Sequence, residues 1–68
     1  MKASEARKLI GQEVLVRKRY SGIVERGVIV DVRGRNVEVD FWGMKDWLWL
    51  PDVVISLAPP RKESISTP

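Results

Sequence analysis

Residues 27–57 read GVIVDVRGRNVEVDFWGMKDWLWLPDVVISL, and apolar residues alternate with polar ones along most of this stretch. Alternation on both sides of a short turn containing Gly and Asn is typical of a β-hairpin. Residues 33–36, RGRN, would supply that turn, because Gly and Asn both tolerate positive φ. The pattern predicts two strands whose apolar residues share one side: Val28, Val30 and Val32 on the first, and Val37, Val39 and Phe41 on the second.

Three further strands are predicted around this hairpin. After a second turn at residues 43–46, the sequence WLWL predicts a strand that ends at Pro51 or lies at an edge, because proline cannot donate to a ladder. Residues 53–57 predict a short final strand, entered through a tight turn or one 3₁₀ turn at Pro51 and Asp52. Upstream, residues 13–19 predict the first strand and residues 20–26 a longer loop. The chain is therefore expected to be all-β, with five antiparallel strands.

The two ends of the chain differ from this central part. Residues 1–10 are expected to form an N-terminal extension with a short helix or turn, capped by Ser4, reaching Leu9 or Ile10 and stopped by Gly11. The strands then occupy residues 11–57, the folded domain. Residues 58–68, APPRKESISTP, are rich in proline, serine and charge, which predicts a disordered tail.

Composition excludes several kinds of chemistry. The 68 residues allow one small domain, and the absence of cysteine and histidine removes disulfides, thiolate zinc sites and histidine-based relays. No serine lies in a nucleophile-elbow sequence, and the acidic residues form no clustered metal-ligand set. We therefore expect neither catalysis nor a metal or other cofactor, and no small-molecule substrate. No apolar run approaches the ~20 residues of a membrane span, and the N-terminus lacks a signal-peptide core, so we expect a cytoplasmic protein without membrane contact.

The net charge of +3 is unevenly distributed along the sequence. Residues 1–35 hold nine Lys or Arg and four Asp or Glu, whereas residues 36–68 hold three and five. A basic half can serve nucleic acid or an acidic partner, although a merely solvated surface would look the same. The candidate nucleic-acid-binding residues are Arg17, Lys18, Arg19, Tyr20, Arg26, Arg33 and Arg35.

The tryptophans form a second candidate surface. Trp47 and Trp49 share one side of their strand, and Leu48 and Leu50 share the other. Both sides cannot be core in so small a domain, so either the tryptophans or the leucines are buried. If the tryptophans are exposed, they form with Trp42 an apolar patch of the kind that marks an interface or a self-association surface.

The order of these elements resembles the SH3-like barrels, and Tudor-type domains most of all. The resemblance covers Leu9 to Leu57 and is carried by four short sequences in the family's order: GQEVLV at residues 11–16, GVIVDV at 27–32, VEVDF at 37–41, and WLP at 49–51 after the turn glycine Gly43. KOW-type ribosomal and transcription modules are also similar. The resemblance implies a small five-stranded antiparallel barrel.

The functions that the resemblance implies are binding functions. In Tudor-type domains an aromatic cage reads methylated lysine or arginine, and Tyr20, Phe41 and Trp42 would supply part of such a cage. KOW-type modules, integrase C-terminal domains and small archaeal chromatin proteins bind nucleic acid. The type II dihydrofolate reductases are also similar, but their V-Q-I-Y strand corresponds here to residues 47–50, which lack the Gln and the Tyr.

The sequence therefore predicts a non-enzymatic binding module. Nucleic-acid binding through the basic and aromatic residues, without strong sequence specificity, is the first expectation. The alternative is a protein-interaction adaptor, in which the surface of Trp42, Trp47 and Trp49 binds a peptide or a second copy of the chain.

Overall fold

The computed structural model describes residues 1–60, and within them one short helix accompanies five strands. The elements are α1 (Ala3–Arg7), β1 (Glu13–Lys18), β2 (Val24–Arg33), β3 (Asn36–Asp40), β4 (Lys45–Trp49), a 3₁₀ turn (Leu50–Asp52) and β5 (Val53–Leu57). The expected all-β class, the five strands and the 3₁₀ turn at Pro51 are confirmed. No helix within residues 1–60 has the length and apolar character needed to cross a membrane.

All five strands form one antiparallel sheet in the order β4-β3-β2-β1-β5. The two edge strands, β4 and β5, follow one another in sequence and are joined only by the 3₁₀ turn. In a flat sheet these edges would lie roughly 19 Å apart. Three residues of 3₁₀ helix rise only about 6 Å, so the sheet must be strongly curved to bring its edges together at this end.

One face of the curved sheet, the core face, carries the hydrophobic core. Val14 and Val16 on β1 are buried, as their alternation predicts, and α1 adds Ala6. The remaining buried apolar residues are Ile29, Val32, Val37, Val39, Leu48, Leu50, Val53 and Ile55. The opposite face, the outer face, is open to solvent and carries most of the charged side chains.

A β-bulge in β2 changes which valines face the core. Ile29 pairs with Val39 and Asp31 pairs with Glu38, so Val30 is an extra residue between the two pairs. The bulge shifts the alternation by one position, and both Ile29 and Val32 are buried. The prediction that Val28, Val30 and Val32 share one side is therefore wrong, and Val28 and Val30 are only half-buried.

Gly27 allows β2 to pass close to β3. A Cβ atom placed on Gly27 would lie 2.6 Å from Cγ1 of Val39 and 2.9 Å from the carbonyl oxygen of Asp40. The backbone oxygen cannot move without disturbing the β2–β3 ladder, so only glycine fits here. On β3 the prediction is confirmed, because Val37 and Val39 are fully buried and Phe41 packs against the core.

The predicted loop between β1 and β2 needs correction. β1 ends at Lys18 and β2 begins at Val24, so the connection covers residues 19–23 instead of the predicted residues 20–26. Hydrogen bonds close it tightly, from the Gly22 N–H to the Lys18 carbonyl and from the Lys18 N–H to the Ile23 carbonyl. The long β2 lets one strand pair with β1 along its first half and with β3 along its second half.

The N-terminal helix is also shorter than predicted. It ends at Arg7, and Lys2 rather than Ser4 is the capping residue, its N–H donating to the Glu5 carboxylate at 3.0 Å. Leu9 packs against the core as expected, whereas Ile10 is exposed. Gly11 has a φ of +87°, which ends the turn that follows the helix.

At the other end, the first residues of the predicted tail contact the sheet. The Ala58 N–H donates to the carbonyl of Glu13, and the Pro59 carbonyl accepts from the Arg26 guanidinium. The rest of the predicted disordered tail, from residue 61 to residue 68, lies outside the described residues.

Candidate nucleic-acid interface

Strand β4 places its leucines in the core and its tryptophans on the outer face. Leu48 pairs with Val37, and Leu50 is 2% exposed at the start of the 3₁₀ turn. Trp47 and Trp49 remain 43% and 50% exposed. The register decides between the two alternatives that the sequence left open, because Val37 lies on the core face and its partner must lie there too.

Trp47 lies beside the arginine that precedes the β2–β3 turn. The Arg33 guanidinium carbon is 5.8 Å from the centroid of the Trp47 ring, within cation–π distance. Asp31 holds it there, because the Arg33 Nε donates to the Asp31 carboxylate at 3.1 Å. The same carboxylate accepts the Val32 N–H at 2.8 Å. Trp47 and Asp31 thus fix the position of the Arg33 side chain, and the Asp31 carboxylate neutralises its charge.

The 3₁₀ turn joins two basic segments that are far apart in sequence. The Leu50 N–H donates to the Arg35 carbonyl at 2.8 Å, which attaches the β2–β3 turn to one end. The Arg19 N–H donates to the Asp52 carbonyl at 3.0 Å, which attaches the end of β1 to the other. The Arg19 Nε also donates to the Pro51 carbonyl at 3.0 Å. Arg19 and Arg35 therefore flank Pro51 on its two sides.

The candidate basic residues differ in how far their charge is neutralised. Ion pairs join Lys18 to Glu25 at 3.8 Å, Arg26 to Glu13 at 3.2 Å and Arg33 to Asp31 at 3.1 Å, as three separate pairs. Among the residues that the structure describes, the basic side chains without an ion pair include those of Arg17, Arg19 and Arg35. Since the hydrogen bond of Arg19 goes to a neutral carbonyl, its full charge remains available to a phosphate.

The structure does not bring all the predicted basic residues together. Arg26 and Arg33 lie seven positions apart on β2, about 20 Å along an extended strand. Arg17 is on the outer face of β1, between Val24 and Val54. Arg19 and Arg35 are therefore attached to the 3₁₀ turn, Arg33 lies beside Trp47 on the preceding strand, and Arg26 lies on another part of the sheet.

The surface around Pro51 also includes a residue that sequence reasoning missed. Lys2 lines a groove with Arg35, Leu50 and Pro51, and no acidic residue lines it. No sequence signal places Lys2 there, because its position depends on how α1 packs against β2 and β3. We call the group Lys2, Arg19, Arg33, Arg35 and Trp49 the Pro51 surface.

Tyr20 lies in a neighbouring groove that is acidic. The ring is 78% exposed, and it lines a groove of about 330 Å³ with Trp47 and Trp49. Asp46 and Asp52 line the same groove, and the Lys18 amine that reaches it is paired with Glu25. Two carboxylates repel phosphate, so the phosphates of a nucleic acid are expected on the arginine side of the Pro51 surface, and only an uncharged base fits against Trp49 on this side.

Trp42 belongs to a third surface. It lines a groove of about 750 Å³ with Phe41 and Met44, beside the pair of Lys18 and Glu25. Trp42 has a φ of +59°, an uncommon conformation for a bulky residue. Tyr20 lines the acidic groove instead, so the three rings of the expected partial cage do not share one groove.

Residues 1–60 contain no group of three or more acidic side chains placed to hold a metal ion. Comparison of the chain with protein-family models, with curated proteins and with solved structures found no match. The candidate interface therefore stands on geometry and charge alone.

Proposed function

We propose that this chain is a non-enzymatic module that binds nucleic acid through the Pro51 surface. One observation carries the proposal: the 3₁₀ turn holds the Arg19 side chain at the Pro51 carbonyl and the Arg35 backbone at the Leu50 N–H, so two arginines without an ion pair lie at the turn that follows the half-exposed Trp49. Two cations beside an exposed ring are the pairing that single-stranded nucleic acid requires, with phosphates on the arginines and a base on the ring.

The expected energetics follow from these contacts. Stacking of one base on Trp49 is worth ~1–3 kcal/mol, and it requires a base whose ring face is accessible. Contacts with Lys2, Arg19 and Arg35 would release about two to three counterions, giving a logarithmic salt slope of roughly −2 for single strands. We therefore expect weak, salt-sensitive binding that prefers single-stranded DNA or RNA to a duplex. The α-helix of the described residues, α1, has five residues and packs against β2 and β3, so we do not expect it to read base edges and we expect little sequence specificity.

The test is a titration of the protein with single-stranded DNA, RNA and duplex DNA at several salt concentrations, followed by tryptophan fluorescence. The double variant Arg19→Ala with Arg35→Ala is compared with Lys18→Ala with Arg26→Ala. Both remove two positive charges, but the second pair takes them from residues that are already in ion pairs. We expect the first variant to lose affinity and salt slope and the second to keep both. Equal losses would mean that only net charge matters, which would contradict the proposed surface.

We also propose that the curved sheet closes into an SH3-like barrel by side-chain packing between β4 and β5, without a hydrogen-bonded ladder between these two edges. The support is the order of the sequence motifs together with the three-residue connection between the two edge strands. Leu48 on one edge and Val53 on the other line the same groove. Nuclear Overhauser contacts between the methyl groups of these two residues would support closure, and their absence would leave an open sheet.

A protein-interaction function is the second candidate. It is favoured by the groove of Phe41, Trp42 and Met44, in which Trp42 is 61% and Met44 is 75% exposed. Such exposed apolar side chains mark binding sites more often than inert surface. The discriminating measurement is binding of a lysine-methylated peptide against its unmodified twin, with Trp42→Ala as the variant that should abolish any preference.

A further inference from the structure

We propose that the free edge of β4 pairs with the same edge of a second copy of this chain, forming a two-fold symmetric dimer centred on Trp47. This inference does not rest on nucleic-acid binding, although both proposals use Trp49. It rests on which backbone groups β4 leaves unpaired and on how the sequence of β4 matches itself.

The hydrogen bonds that flank β4 show which of its residues point outward. The Phe41 N–H donates to the Met44 carbonyl and the Leu50 N–H donates to the Arg35 carbonyl. Because bonded positions alternate in an antiparallel ladder, the backbone groups of the even-numbered residues face β3. Those of Lys45, Trp47 and Trp49 face away from the sheet, on the side where no strand among the described residues pairs with β4.

Within residues 1–60, no strand pairs with this edge. Beside it lies the acidic groove, which Tyr20 and Asp52 also line. Natural edge strands are usually protected by lysines, prolines, bulges or covering elements. Here Lys45 is at one end, Pro51 comes two residues after the other, and two half-exposed tryptophans lie between them. An unprotected apolar edge favours pairing with another strand.

The sequence of β4 is complementary to itself in one register. Antiparallel pairing about Trp47 places Trp47 opposite its symmetry mate and Lys45 opposite Trp49 of the second copy. All three outward residues then form mutually hydrogen-bonded pairs, and a lysine ammonium meets a tryptophan face at each end. Asp46 lies opposite Leu48, so no like charges face one another.

The neighbouring registers that preserve the sheet faces are less favourable. Pairing about Asp46 would oppose two aspartates across the dimer axis, which is repulsive. Pairing about Leu48 would form two hydrogen-bonded pairs, each between Trp47 of one copy and Trp49 of the other. It would leave the backbone groups of Lys45 opposite Pro51, which cannot donate a hydrogen bond. The register about Trp47 therefore satisfies the most backbone groups without a charge conflict.

A second copy is the expected occupant of this edge, because in the register about Trp47 the outward backbone groups of β4 all pair with those of the same strand in the second copy. A basic peptide, drawn by Asp46 and Asp52, is the other class of partner that the groove admits. It would leave the chain monomeric when purified, so the experiment separates the two cases.

The first measurement is sedimentation of the full chain over a wide concentration range, for the wild type and for Trp47→Pro. Proline is tolerated at an edge position whose N–H does not face the sheet, so the variant should fold while losing the central hydrogen bonds. Each lost bond is worth about 1 kcal/mol, so the dimer dissociation constant should rise roughly tenfold or more. Trp42→Ala, which removes an exposed tryptophan outside the edge, should leave it unchanged.

A cross-linking measurement does not depend on the proline variant. Because the chain has no cysteine, Trp47→Cys introduces a single thiol. Mutually bonded residues have Cα atoms ~5.5 Å apart, within the range of a disulfide. Mild oxidation should cross-link Trp47→Cys rapidly, whereas Trp49→Cys should not cross-link. A wild type that stays monomeric at every concentration, or equal cross-linking at both positions, would overturn the proposal.

Discussion

The guanidinium of Arg33 lies 5.8 Å from the centroid of the Trp47 ring while its Nε donates to the carboxylate of Asp31. An arginine held in this way has a defined position but a neutralised charge. Removing the ring would release the side chain, and removing the carboxylate would release the charge. The two changes therefore separate the positioning role of Arg33 from its electrostatic role.

Replacing Asp31 with asparagine is expected to strengthen nucleic-acid binding severalfold. The amide oxygen can still accept the Val32 N–H, so the bulge keeps its hydrogen bond, while Arg33 gains an unmatched charge at the Pro51 surface. Glu13→Gln is the matched control, because it releases Arg26, which lies on another part of the sheet. The salt dependence of binding to single-stranded DNA measures both. A larger gain in affinity for the control would mean that the nucleic acid binds outside the Pro51 surface.

Gly27→Ala is expected to destabilise the fold by about 1–3 kcal/mol, the usual cost of overpacking. The new methyl would lie 2.9 Å from the Asp40 carbonyl oxygen, which the β2–β3 ladder holds in place. Gly34→Ala is the comparison, since nothing lies within 4 Å of its Cβ position and only the φ of +58° is strained. Urea unfolding of both variants checks the prediction. A Gly27→Ala variant no less stable than wild type would show that the two strands are further apart.

The orientation of β4 predicts a contrast between adjacent residues. Leu48→Ala should lower the free energy of unfolding by about 2–4 kcal/mol, because it leaves a cavity beside Val37. Trp49→Ala removes a larger side chain that is half exposed, and we expect a cost of about 1 kcal/mol. Chemical denaturation at one protein concentration compares them. A larger cost at Trp49 would mean that β4 is turned over.

The ion pair between Arg26 and Glu13 is expected to contribute about 1 kcal/mol of coupling. Its atoms are 3.2 Å apart and both side chains are about three-quarters buried. A double-mutant cycle with Arg26→Met and Glu13→Gln isolates the pair from the other contacts of each residue. The same cycle on the more exposed pair of Arg33 and Asp31 should give less. Zero coupling in the first cycle would show that Arg26 carries a free charge, available to a ligand after all.

Local chemistry was enough to predict the elements of this fold. The alternation along β1 and β3, the glycine turn at Gly34 and the break at Pro51 act over a few residues, and each appears where the sequence indicates. The bulge at Val30 was not predictable, because no residue type in β2 marks the position at which one extra residue enters the strand. It becomes visible only when Ile29 and Asp31 are seen to pair with Val39 and Glu38.

By itself, the sequence determined five strands, the turns at Gly34 and Pro51 and an excess of positive charge in the first half of the chain. The tertiary structure decided which side of β4 is buried, because the register with Val37 directs Leu48 to the core and leaves Trp47 outside. The tertiary structure also decided which of the described basic side chains are neutralised by an ion pair and which are not. Two ion pairs join β1 to β2, and the 3₁₀ turn holds Arg19 at one of its ends and Arg35 at the other. Such long-range proximity depends on the curvature of the sheet, which no local pattern in the sequence encodes.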